Sequence, residues 1–179
     1  MDYNSFSRIV SATKENILEF CLESNLIEGV DEDNPASPFV SQHLAAFDYA
    51  RNNKKISIRE LHRILMNGLI DVKGEEAGEY RKHHVRIGRH VHPPPGYVVE
   101  SLMGGLEEDM EVALLKGYRQ HTEWELHNRF EVVHPFVDGN GRTGRLLLNH
   151  VRMKYFPEKL LLSILRTGTC IIKCWTSTG

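Results

Sequence analysis

The chain has 179 residues, 22 lysines and arginines against 24 aspartates and glutamates, and a formal net charge of −2. A sequence-independent nucleic-acid binder needs a basic surface, so no nucleic-acid partner is expected. No stretch approaches the roughly 20 apolar residues of a membrane span, and no membrane partner is expected either. Three cysteines and the absence of an apolar leader among the first residues predict a reduced, cytoplasmic protein.

Apolar residues in the first part of the chain recur at helical spacing. The apolar residues from Ile17 to Leu26 would lie on one face of a helix, which predicts an N-terminal helix that ends near Gly29. Acidic residues and prolines from Asp31 to Pro38 predict a loop, because proline interrupts a helix and the charges favour water. A second helix is expected from about Ser41 to Arg51.

The middle of the chain adds a third helix and then changes character. Ser57 and Glu60 have the spacing of a capping box, which predicts a helix start. Residues 85–87 and 90–92 alternate as short strands do, between glycines and three consecutive prolines, and predict a small β-hairpin. Helical spacing returns at Val98. The sequence therefore predicts a mainly α-helical, single compact unit with one small hairpin.

Residues 134–145 read HPFVDGNGRTGR and concentrate the chemistry of the chain. The Gly-Asn-Gly sequence at 139–141 precedes an apolar helical run, which predicts a tight turn that leads into a helix N-terminus. Backbone N–H groups and the helix dipole favour an anion at such a place. Arg142 and Arg145 lie three residues apart in the first turn and can face the same anion, as a polyphosphate would require.

Two more side chains of this segment suit catalysis. Asp138 offers a hard oxygen ligand, and Mg²⁺ takes one or two protein carboxylates together with phosphate oxygens and waters. His134 has the ordinary pKa of a general base near neutral pH, and Pro135 restricts the chain behind it. Taken singly, a histidine such as His134 is more often a residue at a helix end, and an aspartate such as Asp138 is more often a helix cap or turn former. Their coincidence in one short segment favours a functional site.

The segment resembles the signature of the Fic (filamentation induced by cAMP) proteins, His-Pro-Phe-x-Asp/Glu-Gly-Asn-Gly-Arg-x-x-Arg, at all nine fixed positions. The GEYR sequence at 78–81 and the prolines at 93–95 resemble the segment that forms the family's β-hairpin flap. The resemblance implies the Fic fold, a helical bundle with the motif loop at a helix N-terminus and Phe136 anchored in the core. The flap residues expected to dock the target as an added strand are Ile87, Gly88, Arg89, His90, Val91 and His92.

The resemblance also implies a protein adenylyltransferase, which transfers AMP from ATP to a Ser, Thr or Tyr hydroxyl of a target protein and releases pyrophosphate. His134 would deprotonate the hydroxyl, and Asp138 would bind the Mg²⁺ cofactor. The residues implied in binding the ATP phosphates are Gly139, Asn140, Gly141, Arg142 and Arg145. The implied partners are ATP and a target protein.

Ser24 to Gly29 resembles the family's inhibitory motif, Ser/Thr-x-x-x-Glu-Gly/Asn. In the family this Glu pairs with the second motif Arg, so Glu28 is expected to contact Arg145 and to block the productive pose of the γ-phosphate. The resemblance thus implies an N-terminal inhibitory helix over residues 1–30, with Ser24 in its motif, and a Fic domain over 31–179. A glutamate beside the anion site could also orient water for the removal of AMP from a modified protein.

Several alternatives stay open at this point. A related toxin subgroup phosphorylates its target and carries Lys where this chain has Gly141, which disfavours a kinase. Transfer of another nucleotide monophosphate or of phosphocholine is compatible with the motif. A nucleotide-binding regulatory module with little catalysis is disfavoured because His134 and Asp138 are both present. The sequence leaves the target, the oligomeric state and the signal that releases Glu28 open, although an association of two subunits could hold the inhibitory helix.

Overall fold

The computed structural model describes residues 7–72, 74–87, 92–117, 119 and 121–163. The chain is mainly α-helical, which confirms the predicted fold class. In chain order, the elements are β1 (Ser7–Ser11), α1 (Lys14–Ile27), α2 (Pro38–Asn52), α3 (Ile58–Met66), α4 (Gly96–Lys116), α5 (Thr122–Val133), α6 (Asn140–Tyr155) and β2 (Lys159–Ser163). Among the described helices, none has the length and apolar character needed to cross a bilayer.

Helix α1 ends where the sequence predicts, and it begins at Lys14, three residues before the predicted apolar run. The hydroxyl of Thr13 accepts a hydrogen bond from the Asn16 N–H at 3.3 Å, which caps the first turn. Beyond the last turn, Gly29 adopts a left-handed conformation with φ of 80° and donates its N–H to the Leu26 carbonyl at 3.0 Å. Glycine suits this position because it carries no Cβ that would clash there.

Helix α2 begins earlier than predicted. The sequence placed Pro38 in the loop and the helix start near Ser41, but α2 starts at Pro38, with Ser37 in an extended conformation before it. A proline at the first helical position loses nothing, because its missing N–H would have no partner inside the helix. The prediction was wrong because it treated every proline as a helix breaker.

The capping box predicted for α3 is only half present. The Ser57 hydroxyl accepts from the Glu60 N–H at 3.3 Å, as predicted. The Glu60 carboxylate, however, binds Arg63, one turn further on, and the Ser57 N–H donates instead to the Tyr49 hydroxyl at 3.1 Å. The tertiary contact with α2 thus replaces the reciprocal half of the box.

The two strands form a small antiparallel sheet that the sequence did not predict. Strand β1 pairs with β2, with Ile9 opposite Leu161, so the first and last described elements meet. Leu160 and Leu162 are buried in the main core, and Leu161 packs with Trp124 and Leu148 in a second cluster. The sheet therefore ties the N-terminal end of α1 to the end of α6.

Helices α5 and α6 lie against each other and carry the motif turn between them. The core behind this turn is apolar and draws on every helix. Its fully buried large side chains include Phe20, Phe47, Leu61, Met103, Phe130, Phe136 and Leu146. The motif segment is thus held on the buried core that all six helices share.

Candidate functional site

The motif turn spans residues 134–139, between the end of α5 and the start of α6, and two side chains fix its shape. Asn140 closes it, because its Oδ1 accepts from the Phe136 N–H at 2.9 Å while its Nδ2 donates to the Phe136 carbonyl at 2.8 Å. Phe136 is fully buried, as the resemblance implies. Gly139 has φ of 71°, and a Cβ there would lie 2.7 Å from the Met66 side chain. The turn therefore requires both the amide side chain and the glycine.

The start of α6 has the character of an anion site. The first intrahelical bond runs from the Thr143 N–H to the Gly139 carbonyl at 3.0 Å, so the amides of residues 140–142 precede the helical ladder. Their N–H groups and the helix dipole attract negative charge. In this structure Glu28 supplies that charge, because a Cβ at Gly141 would collide with the Glu28 Oε1 atom.

Arg145 binds the C-terminal end of α1. Its Nη2 lies 2.7 Å from Glu28 Oε1, and the predicted contact between these two residues is therefore present. The same guanidinium donates from Nε to the Ser24 hydroxyl at 2.8 Å and from Nη2 to the Ser24 carbonyl at 2.9 Å. Ser24, predicted to belong to the inhibitory motif, thus holds the arginine that Glu28 neutralises.

Arg142 and Asp138 form the second charged pair of the site. Arg142 is buried, with its Nη2 atom 3.5 Å from Asp138 Oδ1. The Asp138 Oδ1 atom also accepts from the Gly139 N–H at 2.5 Å, while 56% of the side chain stays exposed. Over the described residues, no group of three or more His, Cys, Asp or Glu side chains could hold a metal alone. A single exposed carboxylate beside an anion site fits an Mg²⁺ ion that takes its other ligands from phosphates and waters.

His134 follows α5 in a left-handed conformation, with φ of 49°. The pKa of its imidazole is lowered to about 4, chiefly by burial and then by the positive charge of Arg81, while Glu28 and Asp138 act in the opposite direction. The ring is therefore neutral at physiological pH and can accept a proton.

His62, on α3, contacts the motif turn, and sequence reasoning missed it. Its ring stacks on Phe136 with 3.6 Å between the ring centroids and 5° between the planes. Its Nδ1 accepts from the Gly78 N–H at 2.8 Å, so Nε2 carries the proton and donates to the Asp138 carbonyl at 2.9 Å. Burial lowers the pKa of His62 to about 4, which keeps this tautomer neutral. His62 and Asp138 lie 76 residues apart in the sequence, so no local sequence pattern could predict their contact.

Glu131 and His127 lie on α5 behind the first turn of α6, and they were also missed. Both side chains are buried, with His127 Nδ1 and Glu131 Oε1 4.0 Å apart. Burial raises the pKa of Glu131 to about 7, although Arg145 partly offsets this. A Cβ at Gly144 would collide with Glu131 Oε1. The glycine thus makes room for a carboxyl group beside the arginine that binds Glu28.

A buried polar contact fixes the end of α1 that carries Ser24 and Glu28. Asn25 donates from Nδ2 to the Phe39 carbonyl at 3.0 Å, and its Oδ1 lies 3.0 Å from His43 Nδ1, which must carry the proton of that bond. Asn25 and His43 are both fully buried. This contact joins α1 to α2 one turn before Glu28.

The predicted target-docking flap lies largely outside the described residues, which end at Ile87 and resume at His92. Of the six predicted flap residues, Gly88, Arg89, His90 and Val91 fall in that gap. Ile87 is half-buried and His92 is exposed. The docking role of this segment stays a prediction.

Comparisons with known proteins agree with the motif. The chain is 36% identical over 98 residues to the protein adenylyltransferase Fic of Drosophila erecta, an alignment that covers 54% of this chain and 19% of that protein. It is 36% identical over 108 residues to the protein adenylyltransferase fic-1 of Caenorhabditis briggsae, covering 58% of this chain and 20% of that protein. The chain therefore spans about a fifth of the length of these relatives.

Two solved structures share the fold. A Fic domain containing signaling protein from Bacteroides thetaiotaomicron superposes with a TM-score of 0.64 at 24% identity, over 79% of this chain and 63% of that one. A Fic family protein from Desulfovibrio desulfuricans gives a TM-score of 0.64 at 24% identity, over 80% of this chain and 50% of that one. A sequence model of the Fic/DOC family matches residues 54–151, which include α3 to α5 and most of α6. With that match over more than half of its length and with the motif turn intact, the chain belongs to the Fic/DOC family.

Proposed function

We propose that this chain is a protein adenylyltransferase that Glu28 holds in an inhibited state. The observation that carries the proposal is the position of the Glu28 carboxylate, which lies over the N-terminus of α6 and binds Arg145. That place suits a phosphate group, because the helix end and two arginines attract negative charge. The names of the Drosophila and Caenorhabditis relatives support AMP transfer as the reaction.

In the proposed reaction, the oxygen of a target hydroxyl forms a bond to the α-phosphorus of ATP. The bond from that phosphorus to the bridging oxygen breaks, and pyrophosphate leaves with the electron pair. His134 takes the hydroxyl proton, since its ring is neutral at physiological pH. Asp138 would hold Mg²⁺, whose charge neutralises the phosphates when it is bound. Arg142 and Arg145 would orient the phosphates, and most of the acceleration would come from positioning and charge.

Inhibition follows because Glu28 and the γ-phosphate compete for the same guanidinium, that of Arg145. Arg145 cannot bind the γ-phosphate in the productive pose while it holds Glu28 and Ser24. Helix α1 also contributes Ile17, Phe20 and Cys21 to the main core, so detaching the whole helix would be costly. We therefore expect release to involve the last turn of α1 alone.

A second candidate activity, the removal of AMP from a modified protein, rests on the same residue. About a third of the Glu28 side chain is exposed (34%), so the carboxylate next to the anion site can also contact water. A carboxylate so placed could orient a water molecule towards the phosphorus of an AMP ester. If the Glu28→Gly variant removes AMP from a pre-modified target as fast as the wild type, Glu28 has no role in orienting water for this second activity.

The test of the proposed function uses ATP labelled at the α- or the γ-phosphate, with Mg²⁺ and purified protein. Self-labelling from the α position is expected to rise in Glu28→Gly and to vanish in Glu28→Gly/His134→Ala. Glu32→Gly is the matched control, because Glu32 lies in the loop after α1 and contacts the Asn34 N–H rather than the motif.

Other outcomes distinguish the remaining alternatives. Label that transfers only from the γ position would make the protein a kinase and overturn the proposal. Stronger labelling from α-labelled GTP, CTP or UTP than from α-labelled ATP would assign a different nucleotide donor. Binding of ATP with no transfer of either label would favour a nucleotide-binding regulatory module.

A further inference from the structure

Arg81 precedes the predicted flap and is 1% exposed. Its guanidinium is directed at four backbone carbonyls. Nε donates to the His134 carbonyl at 2.7 Å and Nη1 to the His83 carbonyl at 2.8 Å. Nη2 donates to the carbonyls of Pro94 at 2.8 Å and of Val133 at 3.0 Å. One side chain thus joins three separate segments of the chain.

The acceptors explain why a buried cation is stable here. Val133 is the last residue of α5 and His134 follows it, so their carbonyls have no partner inside the helix and lie at its negative end. A guanidinium has five donors in a rigid planar fork, which can serve several carbonyls at once. A buried charge is tolerated only when it is bonded in this way. The contacts of Arg81 therefore suit arginine and not lysine.

The geometry also fixes the backbone of the proposed base. Besides the guanidinium, the Arg81 N–H donates to the Pro135 carbonyl at 2.9 Å, so Arg81 bonds the carbonyls of three successive residues, 133–135. His134 has an uncommon left-handed conformation, which persists only when its surroundings hold it. Arg81 supplies that support and links it to the chain at His83 and Pro94.

We propose that Arg81 is a positioning residue for His134: it holds the backbone of the base in its left-handed conformation and at a fixed place relative to residues 83 and 94. This role rests on the proposed function of His134. Arg81 itself touches neither the residues proposed to bind phosphate nor the Asp138 carboxylate in the contacts described above.

Arg81 acts on His134 through its positive charge as well as through its hydrogen bonds. After burial, it is the largest cause that lowers the pKa of His134. The charged groups that oppose it are Glu28 at the end of α1 and Asp138 in the motif turn. A neutral replacement of Arg81 is thus expected to raise this pKa, whereas a lysine would keep it low.

The test separates geometry from charge in the Glu28→Gly background, by adding Arg81→Lys or Arg81→Gln. Both double variants lose the fork, so we expect kcat for AMP transfer to fall roughly 10- to 100-fold in each, as for a misplaced catalytic group. KM for ATP should change less than about threefold, because the phosphate-binding residues are untouched. The acid limb of the pH profile should move to higher pH in Arg81→Gln alone.

A second variant covers the case in which the Arg81 replacements fail to fold. A Cβ at Gly96 would collide with the Lys82 carbonyl group, so Gly96→Ala must shift the backbone that carries the His83 acceptor. We expect kcat to fall while Arg81 and His134 themselves are unchanged. Gly104→Ala is the matched control on the same helix, since a Cβ there meets nothing within 4 Å.

The readouts distinguish this inference from the proposed function. Absence of AMP transfer in Glu28→Gly itself would overturn the proposed function, and with it the role of His134 as a base. NMR of the His134 ring in wild type and Arg81→Lys, assigned with His134→Ala, measures its position independently of catalysis. An unchanged His134 signal, or an unchanged kcat in both double variants, would overturn the positioning role of Arg81.

Discussion

The Glu28 Oε1 atom lies 2.7 Å from Arg145 Nη2, across 117 residues of sequence. The contact joins the C-terminal end of α1 to the second turn of α6, close to Arg142 and to the positive end of the helix dipole. Neither partner is far from solvent, because 13% of the Arg145 side chain and 34% of the Glu28 side chain are exposed. A partly exposed ion pair is usually weak, so we expect that a binding partner can break it.

Replacing Glu28 by glutamine should separate charge from shape. The amide keeps the size of the side chain and can still accept a hydrogen bond from Arg145, but it carries no negative charge. We expect AMP transfer to rise by roughly 10- to 100-fold in Glu28→Gly, the size of one charge-assisted hydrogen bond, and by less in Glu28→Gln. Initial rates with α-labelled ATP measure both. A glutamine variant as inactive as the wild type would show that charge is not the cause.

The contact between Asn25 and His43 should contribute to inhibition from a distance. Asn25→Ala leaves the Phe39 carbonyl and the His43 ring without their buried partner, at a cost of about 1–3 kcal/mol. The last turn of α1 should then loosen, and AMP transfer should exceed that of the wild type while remaining below that of Glu28→Gly. Rates are compared at a temperature well below the Tm of the variant. A variant that is destabilised and yet fully inhibited would contradict this coupling.

The two nitrogens of His62 should have separable effects. In His62→Gln the amide nitrogen can replace Nε2 and donate to the Asp138 carbonyl, whereas His62→Asn can replace only Nδ1 and accept from the Gly78 N–H. Both variants lose the stacking on Phe136, so their stability losses should match. We expect the Mg²⁺ concentration for half-maximal transfer to increase several-fold more in His62→Asn. Equal Mg²⁺ dependence in the two variants would exclude a role of this bond in placing Asp138.

Gly144 should be intolerant of a side chain while Glu131 is present. In Gly144→Ala the new Cβ collides with the Glu131 carboxyl oxygen and approaches His127 Nδ1 to 3.0 Å, which should destabilise the fold by about 1–3 kcal/mol. Adding Glu131→Ala removes the collision and should recover part of the loss. Urea unfolding of the four proteins of this cycle gives the interaction energy. Additive losses would show that the two residues do not compete for the same space.

Buried histidines should make the protein sensitive to mild acid. Burial lowers the pKa of His62, His127 and His150 to about 4 from an ordinary value of 6.5. The unfolded chain therefore binds more protons between these values, and stability is lost as the pH falls below about 6.5. Each histidine contributes up to about 1.4 kcal/mol per pH unit. Tm measured from pH 7.5 to 4.5 is expected to fall steeply.

Glu131 should oppose this trend. Its pKa is raised to about 7 in the folded protein from an ordinary value of 4.5, so between these values the folded state binds the extra proton. Its contribution is therefore present at low pH and is lost as the pH rises through about 7. In Glu131→Gln that contribution is absent, and the acid loss of stability should be steeper than in the wild type. A shallower acid transition in Glu131→Gln would contradict the raised pKa.

The local features of this protein could be predicted from the sequence. The helix start near Asn140 and the end of α1 near Gly29 depend on spacing, capping and backbone conformation, which act within a few residues. The burial of Phe136 was expected only from the resemblance to the Fic family. The twelve residues from His134 to Arg145 likewise carry their chemistry in their order. Even so, local rules placed the start of α2 near Ser41, although the helix begins at Pro38. The error arose because proline interrupts the interior of a helix but is also common at its first position.

Tertiary packing alone decided which distant residues support this segment. Arg81 reaches the His134 carbonyl, and His62 reaches Asp138, because α3 and the segment before α4 pack against the motif turn. The pairing of β1 with β2 also could not be predicted, since the five residues of each strand do not indicate which distant segment it pairs with. Hydrogen bonds between elements depend on how helices pack, which no periodicity in a single helix encodes. The sequence by itself determined the chemical groups of the site, and the packing of the helices determined which of them meet.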